Sequence, residues 1–442
     1  MKLLVVLVLS LFAGINGSTN TTAKMVCYYD SGSFIREGLG QLLNPDLEFA
    51  LRYCTHLVYG YCGIKPDTYQ AFSLHEDLDI YQHQFSEVTA LKKKYPYLKV
   101  LLSIGGDKDL DPEHPNKYLE LLEGERTRQT DFINSAYSLV RSYGFDGIDL
   151  AYQFPKNKPG KVHSSVEEKL LKKIKKLFTG DFVVDPKAEE HKEQFTALVR
   201  DLKTTLHPDG YLLSLTVLPN VNSSLYFDVP AVSDFADLIN IAAFDFLTPE
   251  RNPEEADYTA PLFELYDQKR FSHNNADFQV AYWLDNDCPP RKLILGMATY
   301  GRAWKLSSDS NASGGAPVVP KTKGAADAGL LTGTPGLLSW PEICAKLPNP
   351  SNTFLKGADA PLTRVGDPSK RYGTYAFRLA DSHGNHGIWV SYEDPETAAN
   401  KAGYVHTKGL GGLSMFDLSY DDFQGLCKGG KYPLLKAAKN RL

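Results

Sequence analysis

Short apolar runs recur along the chain, separated by amphipathic stretches: MVCYY from residue 25, THLVYGY from 55, KVLLSIGG from 99, FDGIDL from 145, YLLSLTVL from 211, LINIAAFDF from 238, KLILGMATYG from 292 and LGGLSMFDL from 410. They are apolar almost throughout rather than alternating, the pattern of parallel strands buried on both faces. Helical signals lie between several of them. DFINSAYSLVRSYG, residues 131–144, starts on an acidic cap-like residue, spaces its apolar positions at helical period and ends on Gly144. Strand-then-helix units repeated in this way predict an α/β fold, a (β/α)8 TIM barrel, which needs about 250 residues.

The chain has 442 residues, and the excess falls chiefly in two places. Residues 154–190 follow the fourth strand, and residues 303–385 separate the seventh from the eighth. The second segment opens on SDSNASGGAPVVP and then carries its own apolar stretches, LLSWPEICAKL and RYGTYAFRL. It reads as a small inserted α+β domain, with the barrel built from 24–302 and 386–442. Two sequential domains fit less well, because the last strand comes after the insertion.

The first residues, MKLLVVLVLSLFAGING, place Lys2 before an apolar run from Leu3 to Phe12 and then small or polar residues. This is a secretory leader, taken as residues 1–20, with cleavage between Gly17 and Ala23. The run is half of the roughly 20 residues that a spanning helix needs, so no membrane insertion is expected. Six cysteines suit a few disulfides in a secreted protein, and none is spaced as a CxxC pair, so no zinc site is expected and no cofactor is called for. The acceptor pattern N-x-S/T stands at Asn20, Asn222 and Asn311, besides Asn16 in the leader, and Asn222 in PNVNSS has the most turn-like setting.

The formal net charge of −5 gives no general attraction to nucleic acid or anionic lipid. One stretch departs from it. KNKPGKVHSSVEEKLLKKIKK, residues 156–176, carries eight lysines against two glutamates, a balance of +6. Its Lys169, Lys172, Lys173, Lys175 and Lys176 fall in an ordinary amphipathic helix pattern, consistent with a solvated face, or with a surface for an acidic partner.

Six motifs in barrel order carry a family resemblance: CYYDS at the first strand, SIGG at 103–106, FDGIDLAYQ at the fourth, AAFDF at 242–246, TYGRAWKL at 299–306 and GGLSMFDLSYDDF at 411–423. The chain resembles glycoside hydrolase family 18 and, within it, the insect imaginal disc growth factors, secreted chitinase-like proteins. Active members end the fourth strand D-G-x-D-x-D-x-E. Mapped onto this chain, Asp146 and Asp149 keep the first two acids, Ala151 replaces the third and Gln153 the glutamate. The resemblance further implies that Phe244, beside Asp245, stands for the tyrosine that bonds the substrate acetamide, that Phe416 stands for the tryptophan under the scissile sugar, and that Asp107 takes a place where many active members have tryptophan. Family hydrolysis is substrate-assisted: the glutamate protonates the leaving oxygen while the acetamide attacks, steadied by the third aspartate. A Gln153 amide has no acidic proton to give.

The same resemblance implies disulfides Cys27–Cys54 and Cys344–Cys427, leaving Cys62 and Cys288 free or paired with each other, and sets Tyr28 and Tyr300 near the barrel mouth as a carbohydrate cleft. By resemblance the function is that of a monomeric, non-hydrolytic growth factor that acts on insect cells in cooperation with insulin through a cell-surface receptor. A chitin or chitooligosaccharide lectin is the rival reading, with weak carbohydrate binding in the vacated cleft; an active chitinase lacks its acid. Arg302 of YGR is expected to pair with an inward acid, since an unpaired buried charge is costly.

Overall fold

The computed structural model describes residues 23–160, 185–265, 270–310, 312, 319–348, 361–382, 384–427 and 429–442. The leader, Asn20, Asn311 and the five lysines from Lys169 to Lys176 lie outside the described residues.

Eight parallel strands close a barrel: β1 (Lys24–Asp30), β2 (His56–Ile64), which also carries the short antiparallel β3 (Ala71–Ser73), then β4 (Lys99–Gly105), β5 (Gly147–Ala151), β6 (Leu212–Val217), β7 (Leu238–Ile241), β8 (Leu293–Ala298) and, far later in the chain, β15 (Gly412–Phe416). β1 pairs with both β2 and β15, which removes every edge of the barrel wall. Each of the eight apolar runs supplies one of these strands. Their double burial follows from alternation: Val26, Tyr28, Val58, Leu101, Leu238 and Ile294 fill the interior. Met25, Cys27, Leu57 and Val100 point outward into the core under the helices.

The helix over Arg126–Tyr143 begins five residues before Asp131. Asp131 is therefore an exposed mid-helix residue and caps nothing, because Glu125 and the good helix formers after it continue the helix upstream. Its end is as expected: Gly144 takes φ 74°, a left-handed conformation that glycine adopts without side-chain strain, and its N–H bonds to Val140 O. β7 is shorter than the run LINIAAFDF, since the strand stops at Ile241 and Asp245 turns the chain at φ 53°.

A second, antiparallel sheet follows β8 directly, made of β9 (Tyr300–Leu306), β10 (Thr322–Ala325), β11 (Leu337–Ser339), β12 (Thr363–Val365), β13 (Thr374–Arg378) and β14 (Ile388–Tyr392). Its strand order is β10-β9-β14-β13-β12, with β11 on β9, and a helix over Trp340–Lys346 packs beside it. This is the small domain inserted before the last barrel strand. Disulfide Cys344–Cys427 ties that helix to the segment after β15, and Cys27–Cys54 ties β1 to the residues before β2. Cys62 and Cys288 are free thiols, both buried. All four tryptophans are buried as packing; Trp389 stacks on Tyr375 at 3.9 Å.

Candidate functional site

The mouth of the barrel lies at the C-terminal ends of its strands, where β5 delivers Asp149, Ala151 and, two residues beyond, Gln153. Asp149 is fully buried. It accepts from Ser103 Oγ on β4 and from Thr216 Oγ1 on β6, each at 2.9 Å, and Tyr28 OH shares a 2.7 Å bond with Thr216. Burial raises its carboxyl above the usual range, against the pull of hydrogen bonds from Ser214, Ser103, Thr216 and Tyr28. Each neighbour is a hydroxyl from another strand, so Asp149 binds the barrel wall together from inside.

Asp146 does not join it. It stands three positions before Asp149, an odd step that breaks the strand alternation, and it sits at the opposite end of β5, where it accepts from Val100 N at 2.8 Å and pairs with Lys92 at 3.1 Å. The alternation that fills the mouth therefore starts at Asp149, and Asp146 belongs to the floor of the barrel.

Ala151 presents a methyl group beside the turn after β4. Gly106 N bonds to Ala151 O at 2.7 Å, and a Cβ on Gly105 would come within 2.3 Å of that oxygen, so only glycine lets the two backbones approach this closely. Gln153 then reaches across: its Nε2 donates to Gly106 O at 2.7 Å and to Asp109 O at 3.0 Å. Both donors of the amide are used on main-chain carbonyls. The receiving loop is itself fixed, because Asp109 accepts from Lys117 Nζ and Tyr118 OH at 2.7 Å and from Ile64 N at 3.1 Å. Gln153 is thus a brace between two loops.

Aromatic side chains fill the centre of the mouth. Tyr28 and Phe416 stack at 3.8 Å, Phe416 meets Phe244 at 5.1 Å, and Phe244 meets Tyr300 edge-on at 6.2 Å. Phe244 has no hydroxyl to offer a ligand, and the Tyr300 hydroxyl is committed to Asp245 Oδ2 at 2.7 Å. Asp245 also receives Arg302 in a fork, Nε to Oδ1 at 2.9 Å and Nη2 to Oδ2 at 2.5 Å, the inward pairing expected from the sequence.

Two ion pairs at the mouth went unforeseen in the sequence. Lys156 Nζ lies 2.7 Å from both oxygens of Asp107, joining the loops after β4 and β5. Lys108 Nζ lies 2.9 Å from buried Asp30 at the end of β1. Only the charge signs were legible; the partners stand far apart in the chain. Beside the second pair opens a polar cavity of about 410 Å³ lined by Asp30, Arg36, Tyr61, His75, Lys108 and Tyr420, among others. Asn222 caps a short surface turn, its Oδ1 accepting from Ser224 N and Ser224 Oγ. Among the described residues no cluster of His, Cys, Asp or Glu is arranged to hold a metal.

The sequence matches Glycosyl hydrolases family 18 over residues 24–421. The chain belongs to that family. It is 62% identical over 426 residues to Chitinase-like protein Idgf2 of Drosophila melanogaster, covering 96% of each chain. It is 57% identical over 425 residues to Imaginal disk growth factor 6 of the same fly, covering 95% of this chain and 93% of that one. Within family 18 it is therefore a chitinase-like protein of the imaginal disc growth factor group. Among solved structures, catalytic domain 2 of the Ostrinia furnacalis Group II chitinase superposes with a TM-score of 0.76 at 28% identity, covering 95% of this chain and 96% of that one. Human YKL-39, described as a pseudo-chitinase with retained chitooligosaccharide binding, gives 0.71 at 26% identity, covering 95% and 99%.

Proposed function

We propose that the chain is a secreted, monomeric growth factor without hydrolase activity, promoting insect cell proliferation in cooperation with insulin. The observation that carries this reading is the brace at Gln153: the position where the family's resemblance expects a proton donor holds an amide spent on two backbone carbonyls. General acid catalysis contributes about 10² to 10⁴ in rate, and an amide supplies none of it. Ala151 offers no charge to an acetamide, and Phe244 no hydroxyl. The names of the relatives supply the growth-factor half of the reading. The leader, the two disulfides and the acceptor Asn222 favour an extracellular glycoprotein. Its partner on this reading is a cell-surface receptor with an acidic region, met in part by Lys169, Lys172, Lys173, Lys175 and Lys176.

The chitooligosaccharide binding described for human YKL-39 favours a second reading, a lectin without turnover. Against it, the ring faces of Tyr28 and Phe416 are turned to each other rather than to a sugar. Purified protein added to imaginal disc cells, with and without insulin, tests the first reading. Dose-dependent division that insulin amplifies is expected. No response, together with micromolar heat of binding to N-acetylglucosamine oligomers, would establish the lectin instead.

A further inference from the structure

An aliphatic rim is set by chain neighbours of the residues that line the polar cavity beside the mouth: Ile35 and Leu39 flank Arg36, and Leu330 stands two residues before Thr332. Ile35 is 59% exposed, Leu39 40% and Leu330 93%, the last on the inserted domain. The two sides are close-packed, since a Cβ on Gly40 would lie 2.4 Å from Leu331 O, and the first side is also tied to the segment after β15, where Gln424 Nε2 donates to Leu39 O at 3.0 Å. The loop that presents Leu330 is also pinned, since buried Glu342 accepts from Leu331 N at 2.6 Å and Thr332 N at 3.3 Å, while its other oxygen accepts from Ser339 N at 2.7 Å. Leu330 is therefore fixed outward by its own scaffold.

Inside this rim stands Arg36. Among the described residues its guanidinium meets no carboxylate at ion-pair distance and no hydrogen-bond acceptor; it lies 4.6 Å over the ring of Tyr420, and its charge reaches the buried Asp417 carboxyl only through space. Its fork of donors fits a carboxylate in two-pronged fashion. Lys108 beside it is already answered by Asp30, and Thr332 and Thr334 add hydroxyls to the wall.

Resting on the growth-factor reading, we infer that this rim and cavity are the docking surface for a protein partner that inserts an acidic side chain toward Arg36 and lays aliphatic side chains on Ile35, Leu39 and Leu330. A saccharide fits less well. Sugars seek open aromatic faces, whereas the exposed side chains here are aliphatic and, of the two rings in the cavity wall, Tyr420 is covered by Arg36 and only half-buried Tyr61 is left. Arginine is among the residues enriched at protein hot spots, and a surface already held in place loses little freedom when a partner binds.

Saturable binding of radiolabelled protein to imaginal disc cells tests the surface. Arg36→Glu and Leu330→Asp should each weaken binding by about tenfold or more, as hot-spot substitutions do. Leu379→Asp, at an exposed leucine just past β13, should bind as wild type. Leu330 is too exposed for its replacement to unfold the chain, and melting curves check Arg36→Glu. Wild-type affinity in both rim variants would overturn the docking surface while leaving the growth-factor reading intact. Absence of saturable binding by wild type would overturn both. Binding that survives trypsin treatment of the cells but not removal of their surface glycans would make the occupant a polysaccharide and overturn the protein partner.

Discussion

The Gln153 amide and the Gly106 carbonyl are bonded at 2.7 Å, across the mouth where β4 and β5 end. The second N–H of the same amide holds Asp109 O at 3.0 Å, and Asp109 is anchored by Lys117, Tyr118 and Ile64. A carboxylate in this position would face two acceptors with no donor to give.

Gln153→Glu should therefore destabilise the fold, by about 1 to 3 kcal/mol for the two carbonyls left unpaired. The sign of the pH dependence follows. Facing two carbonyl oxygens, the new carboxyl is more easily kept protonated in the folded chain than in the unfolded one, so its stabilising form is present at low pH and lost as pH rises. Thermal unfolding of variant and wild type at pH 5 and pH 8 checks it; a larger deficit at pH 8 is expected, and an equal melting temperature at both would contradict the brace.

Arg302 and Asp245 form a forked pair at the start of the inserted domain. Arg302→Ala leaves the carboxylate in a largely buried site, and breaking such a pair costs about 3 to 5 kcal/mol. Replacing both, as Arg302→Met with Asp245→Asn, should recover much of the loss, because no unpaired charge remains. Denaturant titration of the three proteins measures this, and a double variant as unstable as Arg302→Ala would show that the pair acts through something other than its charge.

Burial, reinforced by the neighbouring charge of Asp30 and opposed by Arg36, pushes the Asp417 carboxyl up from 3.8 to about 6. The folded chain then holds a proton that the unfolded chain releases, and the stability this contributes is present below about 4 and lost as pH rises to about 6. Asp417→Asn cannot ionise, so the stability of wild type relative to this variant should fall between pH 4 and pH 6.5. A pH-independent difference would contradict the assignment.

The barrel was legible because strands buried on both faces leave unbroken apolar runs, and each of the eight surfaced as one. The helix start at Arg126 was not, since Asp131 looks like a cap only when the residues before it are ignored. The motif D-G-x-D-x-D-x-E puts Asp146 beside Asp149, but counting by twos from Asp149 reaches Ala151 and Gln153 and passes over Asp146, which lies at the far end of β5. That Gln153 lacks a proton to donate is written in its residue type. That its amide is tied to carbonyls more than 40 residues earlier is a property of the closed barrel alone. The cavity around Arg36 likewise combines loops from both ends of the chain with the inserted domain, and no local pattern marks it.

A cleft rebuilt as scaffold, with signalling elsewhere, is best judged by assaying one preparation each of wild type and Gln153→Glu for release of reducing ends from N-acetylglucosamine oligomers and for disc-cell proliferation. Neither protein should hydrolyse the oligomers, because the restored acid would act on an acetamide that Ala151 and Phe244 still leave unsupported, and about 1 Å of misplacement can cost on the order of 10²-fold. Both should promote division. Robust hydrolysis by Gln153→Glu alone would show a mouth still organised for sugar chemistry and would contradict its reading as scaffold.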